Sequence, residues 1–236
     1  MELNFEATQE KYRFKRLLEV IDNLKSNQDF QNILEVGPGR YSVYSQFTHF
    51  DNYTILEPIE YFHSRIEVTN PKVTLRNETA ENFLNTRHQI EFDIVLLSSV
   101  IHELDDPKTF LRTLSKIIHP KSKVLIVVPN NLSLHRLIGE HEGFTKSGSE
   151  LTATELRMQQ GVSFSTDSLI QFVCEIGYNV VEIFTSFVKP HPHFKMHELM
   201  QQGALCEEDL DFLYSLSSVI QPYGSEIFAI IEKSDD

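Results

Sequence analysis

Apolar residues change their spacing repeatedly along this chain, and each change marks an element. Over residues 1–30, Tyr12, Leu17, Leu18, Ile21 and Leu24 recur at helical spacing with Lys and Arg between them, which predicts an amphipathic helix. Asn32-Ile-Leu-Glu-Val36 is then a short apolar run stopped by Gly-Pro-Gly, the pattern of a buried strand running into a tight turn. Similar runs follow at Tyr53–Leu56, Val73–Leu75, Phe92–Ser98 and Val124–Val128. Between the last two, Phe110, Leu111, Leu114, Ile117 and Ile118 form one stripe of a helix over Pro107–Ile118, with Asp105 or Asp106 as its cap. Strands that are continuously apolar are buried on both faces, and their alternation with helices predicts a parallel sheet covered on both sides.

The second half is less regular. Ser133–Glu140 reads as a short helix, followed by the polar stretch SGSELTATELRMQQG. Ser165-Thr166-Asp167 caps a helix running to about Glu175, and Gly177 stops it. Tyr178–Val188 and Glu226–Glu232 read as two further strands, joined through a helix from Glu207 to Ile220. The acidic run Glu207-Glu-Asp209 suits the start of that helix. Long connections of this kind tend to be lids, so residues 131–165 and 189–222 are read as lid insertions on one domain spanning 1–236, with 1–30 as a cap helix.

Charge narrows the partners. The chain has 236 residues with 21 Lys and Arg against 34 Asp and Glu, a formal net charge of −13. Nucleic-acid binding and anionic membrane surfaces both need clustered cations, so neither is expected. No apolar run approaches a membrane span, and the charged start of the sequence lacks an apolar signal region. Two cysteines, Cys174 and Cys206, make neither a disulfide framework nor a zinc site. The expectation is a cytoplasmic protein acting on a small molecule.

The chemistry lies in Ile33-Leu-Glu-Val-Gly-Pro-Gly39 and in Glu57 at the end of the next run. Glycines at a first strand-to-helix turn let backbone N–H groups approach a ligand, and an acidic tip on the second strand accepts hydrogen bonds from ribose hydroxyls. A dinucleotide fingerprint would place glycine where Ser42 stands, so a nicotinamide reductase fits less well.

The segments ILEVGPGRYS, LEP at 56–58, FDIVLLSSVIHEL at 92–104 and VLIVVPN at 124–130 together resemble the class I S-adenosylmethionine-dependent methyltransferases over about residues 30–130. The resemblance implies a Rossmann-like, doubly wound, mostly parallel seven-stranded sheet with an antiparallel edge hairpin, and S-adenosyl-L-methionine as cofactor. It implies that Gly37 and Gly39 contact the aminoacyl part, that Glu35 lies beneath it and that Glu57 binds the ribose. The stretch holding Glu78 and Thr79 would flank the adenine, while Ser98 and Ser99 would line the pocket beside the sulfonium. The family's third glycine position holds Tyr41, which is expected to narrow the methionine pocket.

Other candidates rest on position alone. Tyr12 and Arg16 on the first helix are taken to close over the cofactor carboxylate, with plain packing of Tyr12 as the competing reading. His102 follows the fourth strand and could serve as a base for a hydroxyl acceptor, or could cap the next turn. Asn130, His135 and Arg136 follow the fifth strand and are expected at the substrate. His191, His193 and His197 form H-x-H-x3-H, but Pro190 and Pro192 forbid a helix through the first two. They are read as solvated loop residues, with no metal site.

Methyl transfer to a small-molecule acceptor is the leading activity. Two alternatives stay open: intramolecular attack by the cofactor's own amine, giving azetidine-2-carboxylate and methylthioadenosine, and cofactor binding without catalysis.

Overall fold

A computed structural model describes residues 5–86, 90–143 and 162–234. Seven strands, β1 (Asn32–Val36), β2 (Asn52–Leu56), β3 (Val73–Arg76), β4 (Phe92–Ser98), β5 (Ile118–Pro129), β6 (Tyr178–Ser186) and β7 (Glu226–Lys233), form one sheet in the order β3-β2-β1-β4-β5-β7-β6. The first five are parallel, and β7 enters antiparallel to both β5 and β6. The fold is therefore the doubly wound, mostly parallel sheet with an antiparallel edge hairpin that the runs and the resemblance predicted.

Burial explains the continuous apolar runs. Along β4, Val95 and Leu97 enter the core on one face, while Ile94 and Leu96 enter the core on the other. The first face is covered by α3 (Ala80–Leu84), α4 (Pro107–Leu114) and α6 (Thr166–Cys174). The second is covered by α1 (Phe5–Asn27) and by Val43, Phe47 and Phe50 from the loop after β1. The short helices α2 (Glu60–His63) and α5 (Leu134–His141) follow β2 and β5. A third, smaller cluster joins α1 to α7 (His193–Gln201) and α8 (Glu207–Leu216) through Phe5, Tyr12, Phe187, Met196, Leu210 and Tyr214.

Capping signals in the sequence are realised. Asp106 caps α4, with Pro107 in its first turn, and Ser165 caps α6 in a reciprocal arrangement with Ser168. Gly177 takes φ +98° after α6. The α4 stripe ends early, because Ser115 caps the helix and Ile118 already pairs with Phe92 in β5. The extra length of β5 is held by the Ser122 hydroxyl on the Phe92 carbonyl (2.7 Å) and by His119 on Asp93 (3.0 Å).

In the connection after β6, the reading of His193 and His197 as loop residues is overturned. Pro192 does not prevent a helix but starts one, so α7 carries His193 and His197 one turn apart. A ring that fixes φ suits a helix start as well as it disfavours a helix interior. The polar stretch 147–161, part of the expected 131–165 lid, lies outside the described residues. Among the described residues, no helix is long and apolar enough to cross a membrane.

The strand ends are tied together by a buried carboxylate. Glu35 sits on the α1 face of β1 and accepts hydrogen bonds from Ser42 Oγ (2.5 Å), Val43 N–H (2.9 Å) and Tyr53 OH (2.9 Å). Complete burial pushes its pKa up from 4.5 to about 7, with the three donors opposing that rise. Between those values the folded state holds more protons than the unfolded chain, so stability falls as pH rises from about 4.5 to about 7 and then levels. The difference corresponds to an upper bound of roughly 3 kcal/mol. Glu35→Gln should flatten this slope in urea unfolding between pH 5 and 8. An unchanged slope would mean that Glu35 does not titrate in that window.

Candidate functional site

The C-terminal ends of β1, β2 and β4 converge on the turn after β1. Gly37 (φ +61°) donates its N–H to the Leu56 carbonyl (2.8 Å), and a Cβ there would meet Val100 Cγ2 at 2.9 Å. A side chain at 37 would therefore be strained by its φ and would push the β4 loop away. Gly39 also has positive φ, and its N–H donates to Glu57 Oε2 (3.0 Å). Glu57 is 2% exposed, and its other oxygen accepts from Ile59 N–H (2.9 Å). The two oxygens thus keep further lone pairs for a ligand.

Around this centre the candidates fall in two groups. Ser98 ends β4 and Ser99 follows it, adopting φ +62° with a buried hydroxyl that has no hydrogen-bond partner among the described residues. Glu78 pairs with Arg76 (3.1 Å), while Thr79 caps α3 by accepting from Asn82 N–H (3.3 Å). Both therefore lie at the β3 end of the crevice. His102 is 3% exposed, with Nε2 3.8 Å from Glu103 Oε1. Glu103 beside it is about half exposed, and partial burial raises its pKa, opposed by the nearby Arg13 and reinforced by Glu57.

Tyr12, Arg16, Tyr41, Asn130 and His193 depart from expectation. Tyr12 is packed away from the glycine turn, stacked on Phe187 (4.9 Å between ring centres), with its hydroxyl on Asp211 (3.1 Å). Arg16 lies over the Tyr214 ring (4.3 Å) and bonds Ser186 Oγ (3.3 Å) and Glu19 (2.8 Å). The α1 face that meets the loop carries Glu10, paired with Arg40 (3.4 Å), and Phe14, whose ring contacts Tyr41 (5.5 Å between centres). A helix turns about 100° per residue, so a displacement of two positions selects another face.

Tyr41 itself is 50% exposed and turned toward Phe14 rather than into the turn, so it does not crowd a methionine pocket as expected. Asn130 is a clamp rather than a substrate contact. Its side-chain amide donates to the Pro222 and Gly224 carbonyls (2.7 Å each), and its oxygen accepts from Leu132 N–H (3.0 Å). The adjacent Asn131 instead keeps a buried Oδ1 with no hydrogen-bond partner among the described residues.

His135, on α5, has a buried Nδ1 with no hydrogen-bond partner among the described residues. Burial pushes its pKa down, helped by Lys189, His193 and Arg136. Arg136 follows it on the same helix. His193 is not a solvated loop residue: its Nε2 donates to Gln9 Oε1 (2.8 Å), and burial lowers its pKa to about 3. Among the described residues no group of His, Cys, Asp and Glu could hold a metal.

Sequence reasoning missed Gln9, Arg13, Lys189 and Glu226. Arg13 bonds Glu226 Oε1 (2.5 Å), Gln9 reaches the same oxygen (3.3 Å), and Lys189 donates to Gln9 Oε1 (3.2 Å). The available signal was charge at positions flanked by apolar residues: Glu226 opens an apolar strand and Lys189 follows Phe187-Val188.

A family model described as "Methyltransferase domain" matches residues 9–183. The mitochondrial ubiquinone biosynthesis O-methyltransferase of Dictyostelium discoideum is 34% identical over 67 residues, 28% of this chain and 21% of that protein. The matched stretch thus spans about a fifth of that relative's length. Among solved structures, the plantazolicin methyltransferase BpumL, in complex with a triazolic desmethylPZN analog and SAH, has a TM-score of 0.58 at 19% identity. That match covers 97% of this chain and 89% of BpumL. The N-methyltransferase NodS from Bradyrhizobium japonicum WM9 gives 0.55 at 12% identity, covering 95% and 98% of the two chains. A SAM-dependent methyltransferase from Archaeoglobus fulgidus gives 0.58 at 16%, covering 98% and 99%. At these identities the structural likeness is one of fold. With the family match running through most of the chain, from α1 to β6, the chain belongs to the methyltransferase-domain family, and its fold is that of the S-adenosylmethionine-dependent methyltransferases.

Proposed function

We propose that this enzyme methylates a small-molecule acceptor, held over the C-terminal ends of β4 and β5 beneath the described parts of the expected lid segments, 131–143 and 189–222. The observation that carries the cofactor half of this reading is the Glu57 carboxylate, buried at the tip of β2 and joined to Gly39 N–H at 3.0 Å. That carboxylate with its spare lone pairs, the open approach at Gly39, where a Cβ would meet nothing within 4 Å, and the buried Ser99 hydroxyl fit the nucleoside and aminoacyl ends of S-adenosylmethionine. When bound, that group supplies an electrophilic methyl on a sulfonium.

The chain's own residues then hold and orient. Glu57 takes the ribose hydroxyls, Gly37 and Gly39 present backbone to the aminoacyl part, and Glu35 fixes their turn from below. Glu78 and Thr79 flank the adenine, and Ser98 and Ser99 line the methyl-bearing side. Positioning of the acceptor supplies much of the barrier reduction in such a displacement. Where the acceptor is a hydroxyl, His102 takes its proton. His135, Arg136 and the 187–193 segment face the acceptor. The names of the similar proteins include both O- and N-methyltransferases, which supports methyl transfer and leaves the acceptor atom to experiment. The charge of −13 supports an acceptor other than nucleic acid, and the free, exposed Cys174 and Cys206 suit a reducing cytoplasm.

The cyclisation alternative drew on a loop crowded by Tyr41, and that ring faces Phe14. Mass spectrometry separates the two reactions. S-adenosylhomocysteine formed only when a metabolite extract is added, with a methylated partner, is the expected result. Methylthioadenosine formed from the cofactor alone would replace methyl transfer with cyclisation.

Two substitutions test the assignments. Glu57→Ala removes a charge-assisted hydrogen-bond acceptor and should weaken S-adenosylmethionine binding by about 1.5–3 kcal/mol in calorimetry; unchanged affinity would remove Glu57 from the site. His102→Gln should leave that affinity intact while lowering kcat on a hydroxyl acceptor by roughly 10²–10⁴. An unaltered kcat would assign His102 to packing.

A further inference from the structure

The chain is acidic overall, yet one wall of the crevice gathers basic groups. Where β5 ends and β7 begins, Lys189 is 3% exposed and Glu226 is 2% exposed. Glu226 Oε1 accepts from Arg13 and from Gln9 Nε2, and Gln9 Oε1 accepts from both Lys189 Nζ and His193 Nε2. The Glu226 charge is thereby matched by Arg13. Lys189, His193 and His135 sit beside this pair without a second carboxylate among the groups that shift them, Glu226 apart.

Hydrogen-bonding capacity is left over at the same place. An ammonium has three donors, and Lys189 has a single hydrogen-bond acceptor among the described residues, Gln9 Oε1. His135 Nδ1, Ser133 Oγ and Ser225 Oγ are buried with no hydrogen-bond partner among the described residues. Ser133 and Ser225 are joined through the Asn130 turn, whose N–H donates to the Ser225 carbonyl. Leaving such groups buried and unpaired is costly. Burial and repulsion from Arg13 also lower Lys189 to about 7, and burial with repulsion from Lys189 and Arg13 lowers His193 to about 3; an anion among them would offset both effects. The cluster continues toward the cofactor crevice, since Glu103 feels both Arg13 and the Glu57 carboxylate.

We propose that Lys189, His135 and His193, set against the Arg13–Glu226 pair, bind an anionic group of the acceptor, so that the methylated substrate is a small molecule carrying a carboxylate or phosphate. This rests on the methyltransferase reading and names the substrate class for its acceptor pocket. Glu226 Oε2 is also buried without a hydrogen-bond partner among the described residues, which would suit a cationic acceptor, but a cation there meets Arg13 and Lys189. The anion is therefore favoured.

Calorimetry tests this on the full chain saturated with S-adenosylhomocysteine, with benzoate, inorganic phosphate, benzylamine and benzyl alcohol as probes. Benzoate or phosphate should bind, with the stronger of the two identifying the anion, and Lys189→Met should weaken that binding at least tenfold while leaving S-adenosylhomocysteine affinity within about twofold. If Lys189→Met fails to fold, His135→Gln is read in its place with the same expectation. The proposal is overturned if neither anion binds, if benzylamine or benzyl alcohol binds more tightly than both anions, or if the folded variant binds the anion as tightly as the wild type. Failure of S-adenosylhomocysteine to bind the wild type would instead strike at the cofactor reading.

Discussion

Two buried carboxylates on neighbouring strands hold the crevice open in the right shape. Glu35 lies under the turn and Glu57 at its edge, and both accept backbone N–H groups from the segment 39–43. A turn with two positive-φ glycines on either side of Pro38 has little to rigidify it from within. External acceptors supply the constraint: Glu57 fixes Gly39, and Glu35 fixes Val43 and Ser42. The Tyr53 hydroxyl adds a bond from β2 to the same Glu35 carboxylate, so the relative position of β1 and β2 is set at the point where a ligand would bridge them. Carboxylates so buried persist because hydrogen bonds replace the lost water.

The parallel half of the fold and the glycine turn were legible because their signals are local. A strand buried on both faces reads as an unbroken buried run, and Ile33–Val36, Tyr53–Leu56, Ile94–Leu97 and Val124–Val128 are such runs, apolar but for Glu35 and Thr54. Ser42, which stands where a dinucleotide fingerprint would have glycine, proves to be a hydrogen-bond donor to Glu35. Its role follows from three-dimensional proximity, and no spacing rule announces it.

The errors cluster where the answer depends on which face of a helix meets the sheet. Tyr12 and Arg16 belong to the right element but to the face that packs on Phe187, Tyr214 and Ser186. Both faces of α1 carry apolar residues, because the helix packs on the sheet on one side and on α8 on the other. A sequence with two apolar faces does not single out the residues between them. The histidine segment failed for a related reason. Proline breaks a helix interior but starts a helix well, and only the tertiary cluster around Phe5 and Met196 decides between the two at Pro192.

The antiparallel entry of β7 has a chemical consequence beyond topology. In a parallel sheet every strand presents its C-terminal end to the crevice, so groups there come from residues that follow an apolar run. Inserted in the opposite direction, β7 presents its first residue, and Pro129 of β5 pairs with Glu226. The sheet end thereby receives a carboxylate from the start of a strand that is otherwise apolar. Fixed in the ladder on both sides, against Pro129 and against Ser186, Glu226 is a rigid anchor to which α1 attaches through Arg13 and Gln9. Gln9 then relays to Lys189 and His193. One hydrogen-bond chain thus runs from the sheet through the cap helix to α7. Any displacement of α1 would break it at Gln9, so the placing of the cap helix and the polarity of the acceptor wall are one constraint.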